Sequence, residues 1–122
     1  MYDHIGLKVK DLHASVSFYA AALAPLGHDV CSTDAASASF GPAHAPAFWL
    51  SPGPGGAMRP GVHIGFRAPD RSAVDRFHSD GLKAGGRDNG PPGLRPDYGA
   101  SYYAAFLIDP DGNNVEAVAA TA

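Results

Sequence analysis

The sequence predicts an α+β fold made of two copies of one strand–helix–strands unit. Three observations lead to this prediction: an internal repeat, alternating apolar residues, and apolar residues at helical spacing. When the chain is aligned with itself, positions 4–27 fall on positions 63–86 without a gap. Eight pairs are identical: His4/His63, Ile5/Ile64, Gly6/Gly65, Asp11/Asp70, Ala14/Ala73, Phe18/Phe77, Leu23/Leu82 and Gly27/Gly86. Chance would give about two, so a duplication is the simplest explanation.

Each copy opens with a predicted strand. Ile5, Leu7 and Val9 alternate with histidine, glycine and lysine, which gives the strand one apolar face and one mixed face. The same alternation recurs over residues 62–67. Both strands contain the tripeptide His-Ile-Gly, so equivalent residues of the two copies are expected on equivalent faces.

A helix is expected after each opening strand. Asp11 and Asp70 stand where an N-cap side chain accepts backbone N–H groups. Apolar residues recur at helical spacing after them, namely Val16, Tyr19, Ala20 and Leu23 in the first copy and Val74, Phe77 and Leu82 in the second. Gly27 and the pair Gly85–Gly86 predict the helix ends.

Shorter strands are expected after the helices. They lie at about 28–33, 36–41 and 46–50 in the first copy, and at 102–108 and 113–119 in the second. Asp109–Gly112 predicts a type I turn and therefore a hairpin. The Gly/Pro-rich stretches Pro52–Gly61 and Gly85–Pro96 are interpreted as two long loops, the second of which obscures any further strand.

This order of elements predicts a single domain over residues 1–122, with a first module of about 1–59 and a second of about 60–122. Helices of such an α+β domain cover one face of a curved sheet.

Composition narrows the functional classes. The formal net charge is −3 and like charges do not cluster, so neither nucleic acid nor a membrane surface is expected as a partner. The single cysteine, Cys31, suits a reducing compartment. No apolar stretch reaches the ~18–20 residues of a membrane helix, and the first residues lack the pattern of a secretory signal. We therefore expect a cytoplasmic protein.

Three residues are candidate metal ligands. His4 and His63 occupy equivalent positions on the mixed faces of their strands, and Glu116 lies in the last predicted strand, flanked by apolar residues. Two imidazoles and one carboxylate suit a divalent ion such as Fe, Mn, Ni or Zn. A structural role for either histidine is the alternative, because their spacing carries no local metal motif.

A ligand pocket is expected near the second long loop, since loops on a rigid scaffold often line binding sites. Tyr103 is the first candidate for this pocket, and Tyr98 and Arg95 are further candidates.

The chain resembles the vicinal oxygen chelate superfamily, which includes glyoxalase I, bleomycin resistance proteins and extradiol dioxygenases. The resemblance rests on Asp3–Val9, Val62–Gly65 and Ala105–Glu116 and spans essentially the whole chain. It implies two βαβββ modules that form a cup-shaped, curved mixed sheet with helices on the outside. It also implies His4, His63 and Glu116 as metal ligands within the cup, and a homodimer, since modules pair either within one chain or between two.

Two positions differ from the best-known members of that superfamily. Trp49 stands where glyoxalase I-like enzymes place a glutamate ligand, and indole has no acceptor atom with which to replace it. Phe106 stands where extradiol dioxygenases carry a tyrosine. Both differences argue against the standard glyoxalase I and dioxygenase reactions, and Trp49 becomes a candidate pocket residue.

Three functions remain open. The first is a metal-dependent enzyme, of lyase or isomerase type, that acts on a small oxygenated substrate. The second is a metal-free protein of the resistance type that binds a small molecule. The third is a structural or interaction role on a retained fold.

Overall fold

The computed structural model describes residues 1–53 and 61–120, which contain the expected unit twice. The elements of the first unit are β1 (Ile5–Val9), α1 (Leu12–Leu23), β2 (Asp29–Thr33), β3 (Ala38–Gly41) and β4 (Phe48–Pro52). Those of the second are β5 (His63–Arg67), α2 (Arg71–Lys83), β6 (Arg87–Leu94), β7 (Tyr103–Ile108) and β8 (Asn114–Ala119). The α+β class and the two βαβββ modules are confirmed. No helix in these ranges is long and apolar enough to cross a membrane.

The two modules share one topology. The strand order is β1-β4-β3-β2 in the first and β5-β8-β7-β6 in the second. In each, the opening strand pairs in parallel with the last strand, and the other neighbours are antiparallel. The described residues therefore form two mixed sheets of four strands, one in each module.

Both helices begin as predicted. The Oδ1 atom of Asp11 accepts a hydrogen bond from the backbone N–H of Ala14 at 3.1 Å, and Asp70 caps α2 in the same way through Ala73 at 2.8 Å. The buried face of α2 differs from the prediction at one position. Leu82 is 38% exposed, and Gly81 takes the buried position beside it.

The stretch Gly85–Pro96 is not simply a loop, because it contains β6. This strand lies at the edge of the second sheet and pairs only with β7. Its ladder is interrupted around Gly90, and prolines are tolerated at an edge, where no second neighbour needs their missing N–H. This irregular pairing explains why no alternating pattern marks the strand. Most of the other expected loop, residues 54–60, lies outside the described residues.

The hairpin between β7 and β8 is confirmed. The backbone N–H of Gly112 donates to the carbonyl oxygen of Asp109 at 3.0 Å, which closes the turn.

A single buried cluster joins the two modules. It includes Phe18 and Leu23 of α1, Phe77 of α2 and Leu107 of β7. The helices contact each other and the apolar sides of the sheets. The mixed faces of β1 and β5, which carry the predicted histidines, point away from this core, as their exposure shows.

Candidate functional site

The second sheet brings His63, Glu116 and Phe106 together on the face directed away from the core. Gly65 pairs with Glu116 across the parallel β5–β8 ladder, and Phe106 pairs with Glu116 across the antiparallel β7–β8 ladder. His63 precedes Gly65 by two positions and therefore shares its face. The rings of His63 and Phe106 stack with centroids 6.4 Å apart and planes 19° from parallel.

The imidazole of His63 is held in a defined orientation. Its Nδ1 lies 3.0 Å from the backbone carbonyl oxygen of Asn114, and its Nε2 lies 2.8 Å from Oε1 of Glu116. Because a carbonyl oxygen only accepts, Nδ1 carries a proton, and the neutral ring then presents the lone pair of Nε2 to the carboxylate. A proton or a cation is needed between these two atoms. A ring N–H donated to a backbone carbonyl is also the usual support of a metal-binding histidine.

Tyr102 is the site residue that sequence reasoning missed. Its hydroxyl donates to Oε2 of Glu116 at 2.8 Å, so each carboxylate oxygen has its own partner. Burial, followed by this hydrogen bond, raises the pKa of Tyr102 to about 12. The side chain of Glu116 is only 7% exposed, whereas that of His63 is 50% exposed.

Tyr103, the first pocket candidate from the sequence, lies on the opposite side of the sheet from Glu116. Its hydroxyl donates to Oδ1 of Asp75 on α2 at 2.6 Å, and this bond is the main cause of its raised pKa. The guanidinium of Arg71 lies 5.1 Å from the centre of its ring. This placement does not support a pocket role beside Glu116 for Tyr103.

The other pocket candidates of the second module lie closer to the site. Arg95 places its guanidinium 5.4 Å from the centre of the Phe106 ring. Tyr98 is exposed and makes an edge contact with Tyr102, at 5.4 Å between ring centres. Arg95 and Tyr98 therefore lie at the border of the His63–Glu116 site, in contact with the rings of Phe106 and Tyr102.

The glycine of the second His-Ile-Gly keeps the carboxylate accessible. A Cβ atom at Gly65 would lie 3.4 Å from Cγ of Glu116 and 3.7 Å from its Oε1. Any larger side chain would extend over the carboxylate from there. A small residue at this position leaves room for a ligand atom at Oε1.

His4 lies apart from this pair within the single chain. Its Nδ1 is 2.7 Å from Oδ1 of Asp3, and its side chain is 61% exposed. In the part of the chain that the structure describes, no group of three or more histidine, cysteine or acidic residues is placed to hold a metal ion. The structure thus brings together two of the three predicted ligands.

Trp49 occupies the position in the first module that Glu116 occupies in the second. Trp49 pairs with Gly6 across the parallel β1–β4 ladder, as Glu116 pairs with Gly65 in the second module. The indole ring is half-buried and offers no metal-binding atom. The residue of the first module that is equivalent to Glu116 is therefore an aromatic side chain that cannot bind a metal ion.

Comparison with known proteins agrees with this architecture. The family profile of the glyoxalase/bleomycin resistance protein/dioxygenase superfamily matches residues 2–117. No curated protein matches the chain at a significant level. A glyoxalase/bleomycin resistance protein from Albidiferax ferrireducens is 32% identical, with a TM-score of 0.83 over 97% of this chain and 98% of that one.

More distant structures share the fold. The fosfomycin resistance protein FosX from Listeria monocytogenes is 21% identical, with a TM-score of 0.69 over 97% of this chain and 91% of that one. A glyoxalase/bleomycin resistance protein/dioxygenase family enzyme from Burkholderia phytofirmans is 15% identical, with a TM-score of 0.71 over 98% of each chain. With its repeated modules, its histidine and carboxylate paired on one sheet face and a profile match over nearly its whole length, the chain belongs to the glyoxalase/bleomycin resistance protein/dioxygenase superfamily.

Proposed function

We propose that the protein is a divalent-metal-dependent enzyme that acts on a small oxygenated substrate. His63 and Glu116 supply two ligands from one chain, and His4 supplies the third. The observation that carries this proposal is the orientation of the pair, with Nε2 of His63 2.8 Å from Oε1 of Glu116. The iron, manganese, nickel and zinc ions all suit such a nitrogen and oxygen ligand set.

The surroundings of the pair support a cation more than an ordinary surface ion pair. The carbonyl oxygen of Asn114 holds the imidazole from behind, and Tyr102 holds the second carboxylate oxygen. Supporting contacts of this kind orient metal ligands in known sites. Gly65 leaves the Oε1 side open. Two ligands alone rarely hold a divalent ion, so a third is required.

His4 of a second copy is proposed as that third ligand. His4 is exposed, and the hydrogen bond of its Nδ1 with Asp3 leaves Nε2 available. Module pairing between two chains would bring the mixed face of β1 of one copy to the mixed face of β5 of the other. This arrangement predicts a homodimer with two equivalent sites, each incomplete in a single chain.

The protein residues have separate roles in this proposal. A bound divalent ion supplies Lewis acidity, which polarises neighbouring substrate oxygens and stabilises a developing enolate or oxyanion. Glu116 and His63 hold their positions through Tyr102 and Asn114. Phe106 stacks on His63 and shields one side of the site, and Trp49 of the copy that supplies His4 lies on the same strand face as that histidine. The type of reaction, lyase or isomerase, follows from the substrate that enters it.

Metal titration tests the ligand set. Wild-type protein stripped of metal is expected to bind about one Zn²⁺ or Ni²⁺ ion per chain, and affinity is expected to fall at least about 100-fold in His4→Ala, His63→Ala and Glu116→Gln. His78→Ala is the matched control, because His78 pairs with Asp88 away from the site. Isothermal titration calorimetry gives both number and affinity. Absence of binding by the wild type would overturn the proposal.

Complementation tests whether the site lies between copies. In a mixed dimer of His4→Ala and Glu116→Gln chains, a site shared between chains is intact once per dimer, whereas a site within one chain is never intact. We expect about half of the wild-type stoichiometry for co-expressed, doubly tagged dimers. If the mixed dimer binds no metal, His4 of the second copy is not the third ligand.

A metal-free binding protein is the second candidate, and two observations favour it. Trp49 occupies the position of the first module that is equivalent to Glu116, and a cavity of about 190 Å³ with mainly apolar walls lies between the modules. Phe48 and Phe66 form part of these walls, and burial lowers the pKa of His28 at its edge. This function predicts no metal in the titrations. It also predicts binding of an apolar fluorescent probe that Ile64→Trp abolishes by filling the cavity.

A further inference from the structure

Arg67 has no role in the proposed function, although it brings a positive charge close to the His63–Glu116 pair. Arg67 follows Gly65 by two positions in β5 and therefore shares its face of the sheet. It pairs with Val118, whereas Gly65 pairs with Glu116. Arg67 is thus about 7 Å along the strand from the level of the carboxylate, a distance that the long arginine side chain can span.

A cavity of about 180 Å³ connects these residues. It is lined by Gly65, Arg67, Tyr102, Val118 and Ala120. Two of the lining residues, Gly65 and Tyr102, are the immediate neighbours of the Glu116 carboxylate. The cavity therefore adjoins the proposed metal ligands. It is smaller than the roughly 300–1,000 Å³ of typical small-molecule pockets, so its size suits one end of a ligand.

The cavity contains one charged group that is available to a ligand. Arg67 forms no ion pair or side-chain hydrogen bond with any residue that the structure describes. Two other arginines do have such partners, since Arg76 donates to Ser72 and Arg95 donates to the carbonyl oxygen of Pro91. The hydroxyl hydrogen of Tyr102 is already donated to Glu116. Arg67 is therefore the lining residue able to donate strongly to a ligand.

We infer that this cavity binds an oxyanion group of the substrate, a carboxylate or a phosphonate, through the guanidinium of Arg67. Guanidinium groups match the paired oxygens of both anions in bidentate geometry. The two oxygens of Glu116 are directed toward His63 and Tyr102, so the guanidinium of Arg67 is left to the anion. The inference rests on the proposed function: the oxyanion occupies the cavity while the reacting oxygens of the same substrate face the His63–Glu116 pair.

Titration of the protein with simple probes tests the inference. Lactate and methylphosphonate represent the two anions, and propane-1,2-diol is the neutral control. In backbone amide NMR spectra of the metal-free protein, at least one of the two anions should shift the signals of Gly65, Tyr102 and Ala120, and the diol should not. Arg67→Gln should weaken anion binding about tenfold or more, Arg67→Lys should weaken it less, and Arg76→Gln should leave it unchanged.

The outcomes separate this inference from the metal proposal. Equal anion affinity in Arg67→Gln and wild type, equal shifts with the diol, or shifts confined to other residues would overturn the inference. Metal affinity of Arg67→Gln, measured by calorimetry, should equal that of the wild type. If the protein binds metal but no anion, the inference is wrong and the proposed function stands. If it binds the anion through Arg67 but no metal, the proposed function is wrong and the oxyanion cavity stands.

Discussion

At the scale of single residues, the contact between Tyr102 and Glu116 determines how the carboxylate can be used. Glu116 is almost completely buried, and a buried carboxylate is costly unless its oxygens are hydrogen-bonded. Tyr102 satisfies one oxygen from a position just before β7. The other oxygen is thereby left to face His63 and the open side above Gly65.

Tyr102→Phe tests this positioning role. The substitution keeps the ring that contacts Tyr98 and removes only the hydroxyl, so we expect Zn²⁺ affinity to fall about 10–100-fold. Calorimetry measures the affinity, and the absorption spectrum of the Co²⁺ form reports the ligand geometry. Tyr98→Phe is the matched control, because the hydroxyl of Tyr98 bonds to no residue in the described ranges. Identical affinities and spectra for Tyr102→Phe and wild type would contradict the role.

At the scale of elements, α2 packs against β7 and α1 at Gly81 with no space for a side chain. A Cβ atom at Gly81 would clash with Cδ1 of Leu107 on β7 and would lie 3.4 Å from the ring of Phe18 on α1. The absence of a side chain at this position allows the helix to contact both elements. Because successive residues are about 100° apart around a helix, Leu82 lies beyond the buried face that Gly81 belongs to.

Gly81→Ala should therefore destabilise the protein. Alanine favours a helix over glycine by about 1 kcal/mol, but overpacking of a filled core costs about 1–3 kcal/mol, so a net loss of about 1 kcal/mol is expected. Urea denaturation measures the free energy of unfolding. Ser79→Ala, at an exposed position of the same helix, should be neutral or slightly stabilising. A Gly81→Ala protein more stable than the wild type would contradict this expectation and show that a methyl group fits between α2, Leu107 and Phe18.

At the scale of the whole molecule, a buried polar contact joins the two modules. The hydroxyl of Tyr19 on α1 donates to Oδ2 of Asp109, in the hairpin turn of the second module, at 2.5 Å. Asp109 also accepts from the backbone N–H groups of Asp111 at 2.9 Å and Asn113 at 2.8 Å. One carboxylate therefore holds both the turn and the neighbouring module.

The alkaline stability of Tyr19→Phe tests this contact. Burial, followed by the charge of Asp109, raises the pKa of Tyr19 well above its ordinary value. Above about pH 10 the unfolded chain loses this proton and the folded chain keeps it, so the folded state binds more protons and stability falls as pH rises. One such group contributes a slope of about 1.4 kcal/mol per pH unit.

Tyr19→Phe should lower the free energy of unfolding by about 2 kcal/mol at neutral pH, because a buried hydrogen bond to a carboxylate is lost. The gap from the wild type should then narrow above about pH 10, since only the wild type carries the Tyr19 proton. Tyr102 and Tyr103 also have raised pKa values but are present in both proteins, so they cancel in the comparison. Urea denaturation over this pH range is the measurement. Parallel curves would contradict the contribution of Tyr19.

The sequence by itself predicts the two modules and the faces of their opening strands. The repeat aligns His4 with His63, and local alternation determines which residues of β5 share the face of His63, because successive side chains of a strand point to opposite sides. The caps of both helices and the β7–β8 hairpin are likewise local features. Sequence reasoning located them because each depends on a few consecutive residues.

Only the tertiary structure decided which of these residues meet. Tyr102 and Tyr103 are adjacent in the chain, yet one reaches Glu116 and the other reaches Asp75 on the opposite side of the sheet. The structure also holds His63 against Glu116 while His4 lies elsewhere. These contacts depend on register and on helix–sheet approach, which are set by residues distant in the chain, and no local pattern encodes them.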